Sequence, residues 1–110
     1  MGLITLEEAK QYLRVDSADE DELMKFLSNT AQALVFEVAR LNEDEVAFLQ
    51  DTASDGKNIT LTEEDRAMLK MAAYFTLGYL YEHREEADHH SLVITLRNLL
   101  FSIREGRGDA

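Results

Sequence analysis

Histidine and carboxylate crowd one short stretch: His83, His89 and His90, all the histidines of the chain, stand among Glu82, Glu85, Glu86 and Asp88. Imidazole nitrogens and carboxylate oxygens bind divalent metals, and Glu86 and His89, three apart, would share one helix face as in di-iron bundles. Such a centre needs a second Glu-x-x-His word and further glutamates from other helices, and the sequence holds no second copy. The stretch reads as the polar, solvated end of a helix, with no metal and no cofactor. Asp51, Asp55 and Gly56 put a glycine sixth from an aspartate, as in a calcium loop. Ala53 and Thr62 then fall at the third and twelfth positions, where an oxygen donor and a bidentate glutamate are required. Arg107-Gly108-Asp109 spells an adhesion tripeptide, a chance match in a chain whose start lacks the basic-then-apolar pattern of a secretion signal. No phosphate-cradling glycine loop, nucleophile elbow or serine–histidine–acid order occurs, and most carboxylates sit where helix capping accounts for them. No enzyme is expected.

The elements that carry these residues follow from composition. The chain of 110 residues has no proline and no cysteine, and Gly2, Gly106 and Gly108, three of its five glycines, lie at the ends. Disulfides, thiolate metal sites and cysteine nucleophiles are therefore excluded, and the composition is helical. Apolar residues make up 45% and charged residues 30%, which predicts one domain around one core. The longest largely apolar run, residues 71–81, is well short of the ~18 needed to span a membrane. A soluble protein made in a cytoplasm, with no membrane partner, is expected.

Charge is uneven. Residues 1–65 hold 16 acids and 5 bases, a balance of −11, whereas residues 66–110 hold 6 of each. Gripping duplex DNA requires neutralising phosphates with Lys and Arg, so direct DNA binding is disfavoured. An acidic wall past which DNA slides, a partner with a basic surface, or a plain solvated face are each compatible with the numbers.

Thr5 stands three residues before Glu8 and Ser17 three before Glu20, the spacing of the helix-start capping box. Leu6, Ala9 and Leu13, with Tyr12 alongside, make the first helix an amphipathic peg of about two turns, too short to stand alone. A second helix is predicted over about 18–41, with Leu23, Phe26, Leu27, Leu34, Val38 and Leu41 as its apolar stripe. Residues 45–51 add a short helical turn, 52–58 a loop, and Ile59-Thr60-Leu61 either a short strand or plain loop. Thr62 caps a third helix over 63–85, apolar around most of its circumference between Met68 and Tyr81 and so expected to be surrounded, either as the centre of the domain or with one face completed by another subunit. A fourth follows over 91–104 through Leu92, Val93, Leu96, Leu99, Leu100 and Ile103, and residues 105–110 form a mobile tail. The expected architecture is all-α, a short helix and three longer ones packed around residues 63–85, as one domain over 1–104.

Three words of this sequence, LEEAKQYLRVD at residues 6–16, DEDEL at 19–23 and LYEHRE at 80–85, fall in the order and at the overall length of a known family. A looser one is LRNLLFSIR at 96–104. On these words the chain resembles the head–tail connector (adaptor) proteins of long-tailed bacteriophages and prophages. Residues 42–61 carry none of the resemblance, and His83 replaces the family's usual asparagine. The resemblance implies a structural protein of the virion, made in a bacterial host's cytoplasm, that closes with copies of itself into a ring below the portal. Such a ring extends the DNA channel, lets DNA pass without specific binding, and docks tail-completion proteins. The acidic half would then face the lumen or a basic portal. Leu6, Tyr12, Arg14, Tyr81 and Arg84 are the expected interface residues, with the tail from Arg104 through Arg107 docking the portal. Two other readings stand beside it: a small acidic DNA mimic that occupies a basic DNA-binding protein, and a metal hydrolase around His83 and His89.

Overall fold

The computed structural model describes residues 3–49, 61–83 and 90–105. Within them the chain is all-α: α1 (Leu6–Leu13), a 3-10 turn (Ala18–Glu20), α2 (Asp21–Ala39), α3 (Glu43–Leu49), α4 (Glu63–Glu82), α5 (His90–Leu99) and α6 (Phe101–Arg104). Side chains of Phe48 and Arg104 lie outside the description. The expected loop over 52–58, the strand at 59–60 and the tail over 106–110 also lie outside the described residues, among which no strand occurs.

Local rules set the element ends. Thr5 Oγ1 accepts from Glu8 N–H at 3.1 Å while Glu8 Oε1 accepts from Thr5 N–H at 3.0 Å, so the expected capping box closes the start of α1. The same reciprocal pair forms between Thr62 and Asp65 at α4 and between Asn42 and Glu45 at α3. Asn42 therefore starts α3 at Glu43, two residues earlier than the sequence pattern suggests. α1 and α2 end alike: Arg14 (φ 59°) and Arg40 (φ 61°) turn left-handed, and the following N–H reaches back to the carbonyl five residues earlier. This is the Schellman stop, built on arginine where glycine is commoner. It ends α2 at Ala39, and the Ser17-capped 3-10 turn delays its start to Asp21, so the helix is shorter at both ends than the expected 18–41.

The core is shared by two helices. α2 and α4 form the most extensive helix pair, α1 lies against both, and α5 packs on both while α6 returns to α2. The expectation that α4 alone occupies the centre is corrected, because α2 buries Met24, Leu27, Ala31, Val35, Phe36, Val38 and Ala39 against Leu69, Ala72, Ala73, Leu77 and Leu80 of α4 and Leu92 and Leu96 of α5. Its buried sector is centred on Met24, Ala31 and Val35. Phe26 falls on the opposite side of the helix and is 66% exposed, whereas Leu27 and Val38 of the expected stripe are buried. The last expected helix is divided at Leu100 into α5 and α6, with Leu100 and Ile103 both in the core.

A polar hub fastens the N-terminus to this core. Leu3 and Ile4 are buried, Leu3 N–H donates to Gln32 Oε1 at 2.8 Å, and Gln32 Nε2 donates to Ser28 Oγ at 3.0 Å and toward the Ile4 carbonyl at 3.4 Å. A buried amide on α2 thereby satisfies backbone groups that precede α1, which holds the peg's entry point fixed.

Candidate functional site

α4 has one dry face and one open one. Met71 and Phe75 stand on the open side, 51% and 40% exposed, in a row with exposed Ala67 at helical spacing. A helix apolar all round is expected to be surrounded, and here it is not: α1, only eight residues long, covers one flank and leaves the next bare. The row ends in acid at both limits, with exposed Glu64 one turn before Ala67 and Glu82 two turns after Phe75.

The peg supplies the flank of this surface. Ala9 is fully buried, Lys10 Nζ lies 2.7 Å from Asp21 Oδ1, and Lys70 Nζ of α4 lies 3.1 Å from Glu8 Oε2. Those contacts set Tyr12 beside α4, where its ring stands 4.8 Å from that of Tyr74 and is tilted 36° to it. Gly78 lies beneath: a Cβ there would come within 3.4 Å of Tyr12 Cε2, so the bare glycine leaves a flat seat for the ring. Tyr12, Ala67, Lys70, Met71, Tyr74 and Phe75 together line an open depression of about 520 Å³.

The electrostatics of the depression are settled by its neighbours. The Thr5 N–H bonded to Glu8, and then the Lys70 ammonium, hold the Glu8 carboxyl below its usual range. Burial, and secondly the Glu8 charge, push the Tyr74 phenol above its own. The surface is therefore two tyrosine rings, a thioether and a phenyl ring beside the Glu8–Lys70 ion pair. It offers aromatic faces and apolar area, which hold apolar and cationic side chains.

The sequence-predicted interface residues are mostly elsewhere. Tyr12 is in the depression, 49% exposed. Leu6 is half-buried against the core and so is largely used up in packing. Arg14 is exposed, and its backbone has the separate task of stopping α1. Tyr81 is half-buried and its hydroxyl donates to Glu20 Oε1 at 3.1 Å, tying the end of α4 to the turn before α2. Arg84 and Arg107 lie outside the described residues, as does the side chain of Arg104. Met71, Tyr74 and Phe75 belong to the segment that the sequence offers to a second copy, but they are not among the expected interface residues, because a segment apolar on every side gives no sign of which side a neighbour covers. The four-residue spacing of Ala67, Met71 and Phe75 between Glu64 and Glu82 is the signal that finds them.

Of the histidine cluster, Glu82, His83 and His90 are among the described residues. His83 follows the last turn of α4, its Nδ1 lies 2.9 Å from the Tyr79 carbonyl, and its ring stacks on Tyr79 at 4.2 Å. His90 opens α5 on the surface, and Glu86 and His89 lie outside the described residues. Among the described residues no group of three or more acidic or histidine side chains is placed to hold a metal ion, and no helix is long and apolar enough to cross a membrane.

No family model, no curated protein and no solved structure matches this chain. That finding overturns the terms bacteriophage, prophage, virion assembly and DNA packaging as descriptions of it, and the all-α fold is what stands of that description.

Proposed function

We infer that the chain is a non-catalytic assembly subunit, a connector that joins copies of itself side by side into a ring and offers the joined surface to other proteins. One observation carries this reading. Among the described residues, six large apolar side chains stand on the surface, from Phe75 at 40% exposure to Phe26 at 66%, with Tyr12, Met71, Ile94 and Phe101 between them. Several of these are grouped rather than scattered, and grouped exposed apolar residues mark surfaces that another molecule covers. The same role is what the likeness of residues 6–16, 19–23 and 80–85 to head–tail connector proteins implies. Closed rings arise when two different patches of one subunit meet head to tail and the rotation between neighbours closes.

The test is the mass of the full chain in solution, by light scattering and native mass spectrometry over a wide concentration range, with negative-stain imaging of the largest species. A closed oligomer supports the reading. A monomer at every concentration sinks it, and a monomer that binds a basic protein in a salt-sensitive way replaces it with the DNA-mimic reading.

A further inference from the structure

We propose that the Tyr12–Met71–Phe75 face of one copy receives the α5–α6 edge of the next, with Ile94 and Phe101 as the apolar anchors and Arg97 as the charged one. This deepens the assembly reading above and rests on it. The α5–α6 edge is the second grouped apolar surface of the molecule: Ile94 is 44% and Phe101 57% exposed, with exposed Arg97 between them. Ile94, Arg97 and Phe101 stand three and four residues apart, and Leu92, Leu96, Leu100 and Ile103 of the same segment are turned into the core. The edge is therefore an amphipathic segment with an apolar pair flanking a cation on its outer side.

Charge decides what this edge meets. The α4 row is bounded by Glu64 and Glu82, so two copies of it laid together oppose acid to acid whichever way they run. Antiparallel pairing sets Glu64 against Glu82, and parallel pairing sets each against itself. The α5–α6 edge brings Arg97 instead, whose planar guanidinium stacks on tyrosine faces and pairs with carboxylates. The depression of about 520 Å³ has room for an aromatic side chain, and Met71 in its lining adapts to the shape of what enters. Tyr12 and Tyr74 supply the ring faces. Donor and acceptor surfaces lie on different helices, so each copy has one of each, the condition for a heterologous contact that propagates into a ring.

The experiment uses two full-length variants, Met71→Arg in the receiving face and Phe101→Glu in the inserted edge, each checked for wild-type circular dichroism. Both residues are exposed, and Met71→Ala and Phe101→Ala replace them if either charged form fails to fold. Sedimentation of each variant alone is expected to show self-association weakened at least about tenfold, the loss of one buried anchor. Mixed, the two retain one intact face each and are expected to form a 1:1 heterodimer that grows no further. Wild-type association is also expected to weaken with salt, and Arg97→Glu to weaken it at low salt. If wild type assembles and both variants assemble equally well, the contact lies elsewhere and this inference falls while the assembly reading survives. If Phe101→Glu alone self-associates as wild type does, the face pairs with itself, and if the mixture stays monomeric the two variants do not offer complementary faces; either result makes the head-to-tail assignment wrong. A wild type that never associates overturns both.

Discussion

The two sides of α4 are built from similar residues and differ in what covers them. Leu69, Ala72, Ala73, Leu77 and Leu80 face α2 and are buried, whereas Ala67, Met71 and Phe75, on the other side of the same helix, face outward. Folding free energy is gained on the first side, where apolar area leaves water within one chain. The second side leaves much of its apolar area in water. The difference teaches that apolar content of a helix does not say where its energy is realised.

That contrast is broken most directly by truncating one residue on each side. Leu77→Ala deletes a fully buried side chain and is expected to cost about 2–5 kcal/mol, the transfer term plus the cavity left behind. Phe75→Ala on the outer side is expected to cost about 1 kcal/mol in the monomer, less than Leu77→Ala, since two fifths of the ring's surface is already in water. Urea titrations at low protein concentration measure both. Equal losses at the two positions mean that the outer side is held by contacts within the chain, and the distinction fails.

How far the fold was legible in the sequence follows the same line. The capping box at Thr5, the N-cap at Thr62, the peg at α1 and the four principal helical segments were readable, because capping and helical periodicity are local; the expected Ser17–Glu20 box is replaced by a Ser17 Oγ that accepts from Asp19 N–H and starts a 3-10 turn. The Schellman stops at Arg14 and Arg40 were not, because arginine carries no preference for the left-handed region and only the surrounding packing holds it there. Gln32 was missed for a related reason: a buried amide is recognisable only once its partners, here Leu3 and Ile4 about thirty residues away, are known to adjoin it. Phe26 was placed inside by its spacing to Leu23, yet the helix buries the sector around Met24. At the candidate site, Tyr12 was found as an aromatic on a short peg. Its companions on α4 were hidden by the uniform greasiness of that helix, which has no polar side to orient it.

The junction between the two sides is sharpened by the Glu8–Lys70 pair, which anchors the peg at the edge of the open face. The folded-state carboxyl of Glu8 titrates below its unfolded value, so its ionised form stabilises the fold above about pH 4.3. That contribution is lost as pH falls through the lowered folded value. Glu8→Gln keeps the capping geometry and removes the charge, so wild type is expected to exceed it in stability at pH 7 by less than about 1 kcal/mol, the pair being partly solvated. The gap is expected to close in acid. The same substitution is expected to lower the Tyr74 titration toward the ordinary phenol range without reaching it, because burial, the larger cause, remains. Tyrosinate absorbance, with Tyr74→Phe as the reference, reads that shift. A gap that persists unchanged below both titrations assigns the effect to lost packing rather than to charge.

Gly78 sits where the two sides meet, beneath the Tyr12 ring, and tests the open face at the scale of one methyl group. Helix propensity alone favours alanine over glycine in a helix interior by about 0.8–1.0 kcal/mol. A Cβ there meets Tyr12 Cε2 at 3.4 Å and the Tyr12 hydroxyl oxygen at 3.7 Å, ordinary contact at its near limit, so the ring has to give only slightly. Gly78→Ala is therefore expected to stabilise the monomer by about 0.5 kcal/mol, read as a small rise in the urea midpoint at unchanged slope. The methyl fills the space under the ring at ordinary contact distance and leaves the ring in place. Self-association is therefore expected to stay as it was. If the more stable protein associates less well, the glycine is there to seat Tyr12 for a neighbouring copy, and stability and assembly move in opposite directions from a single added carbon.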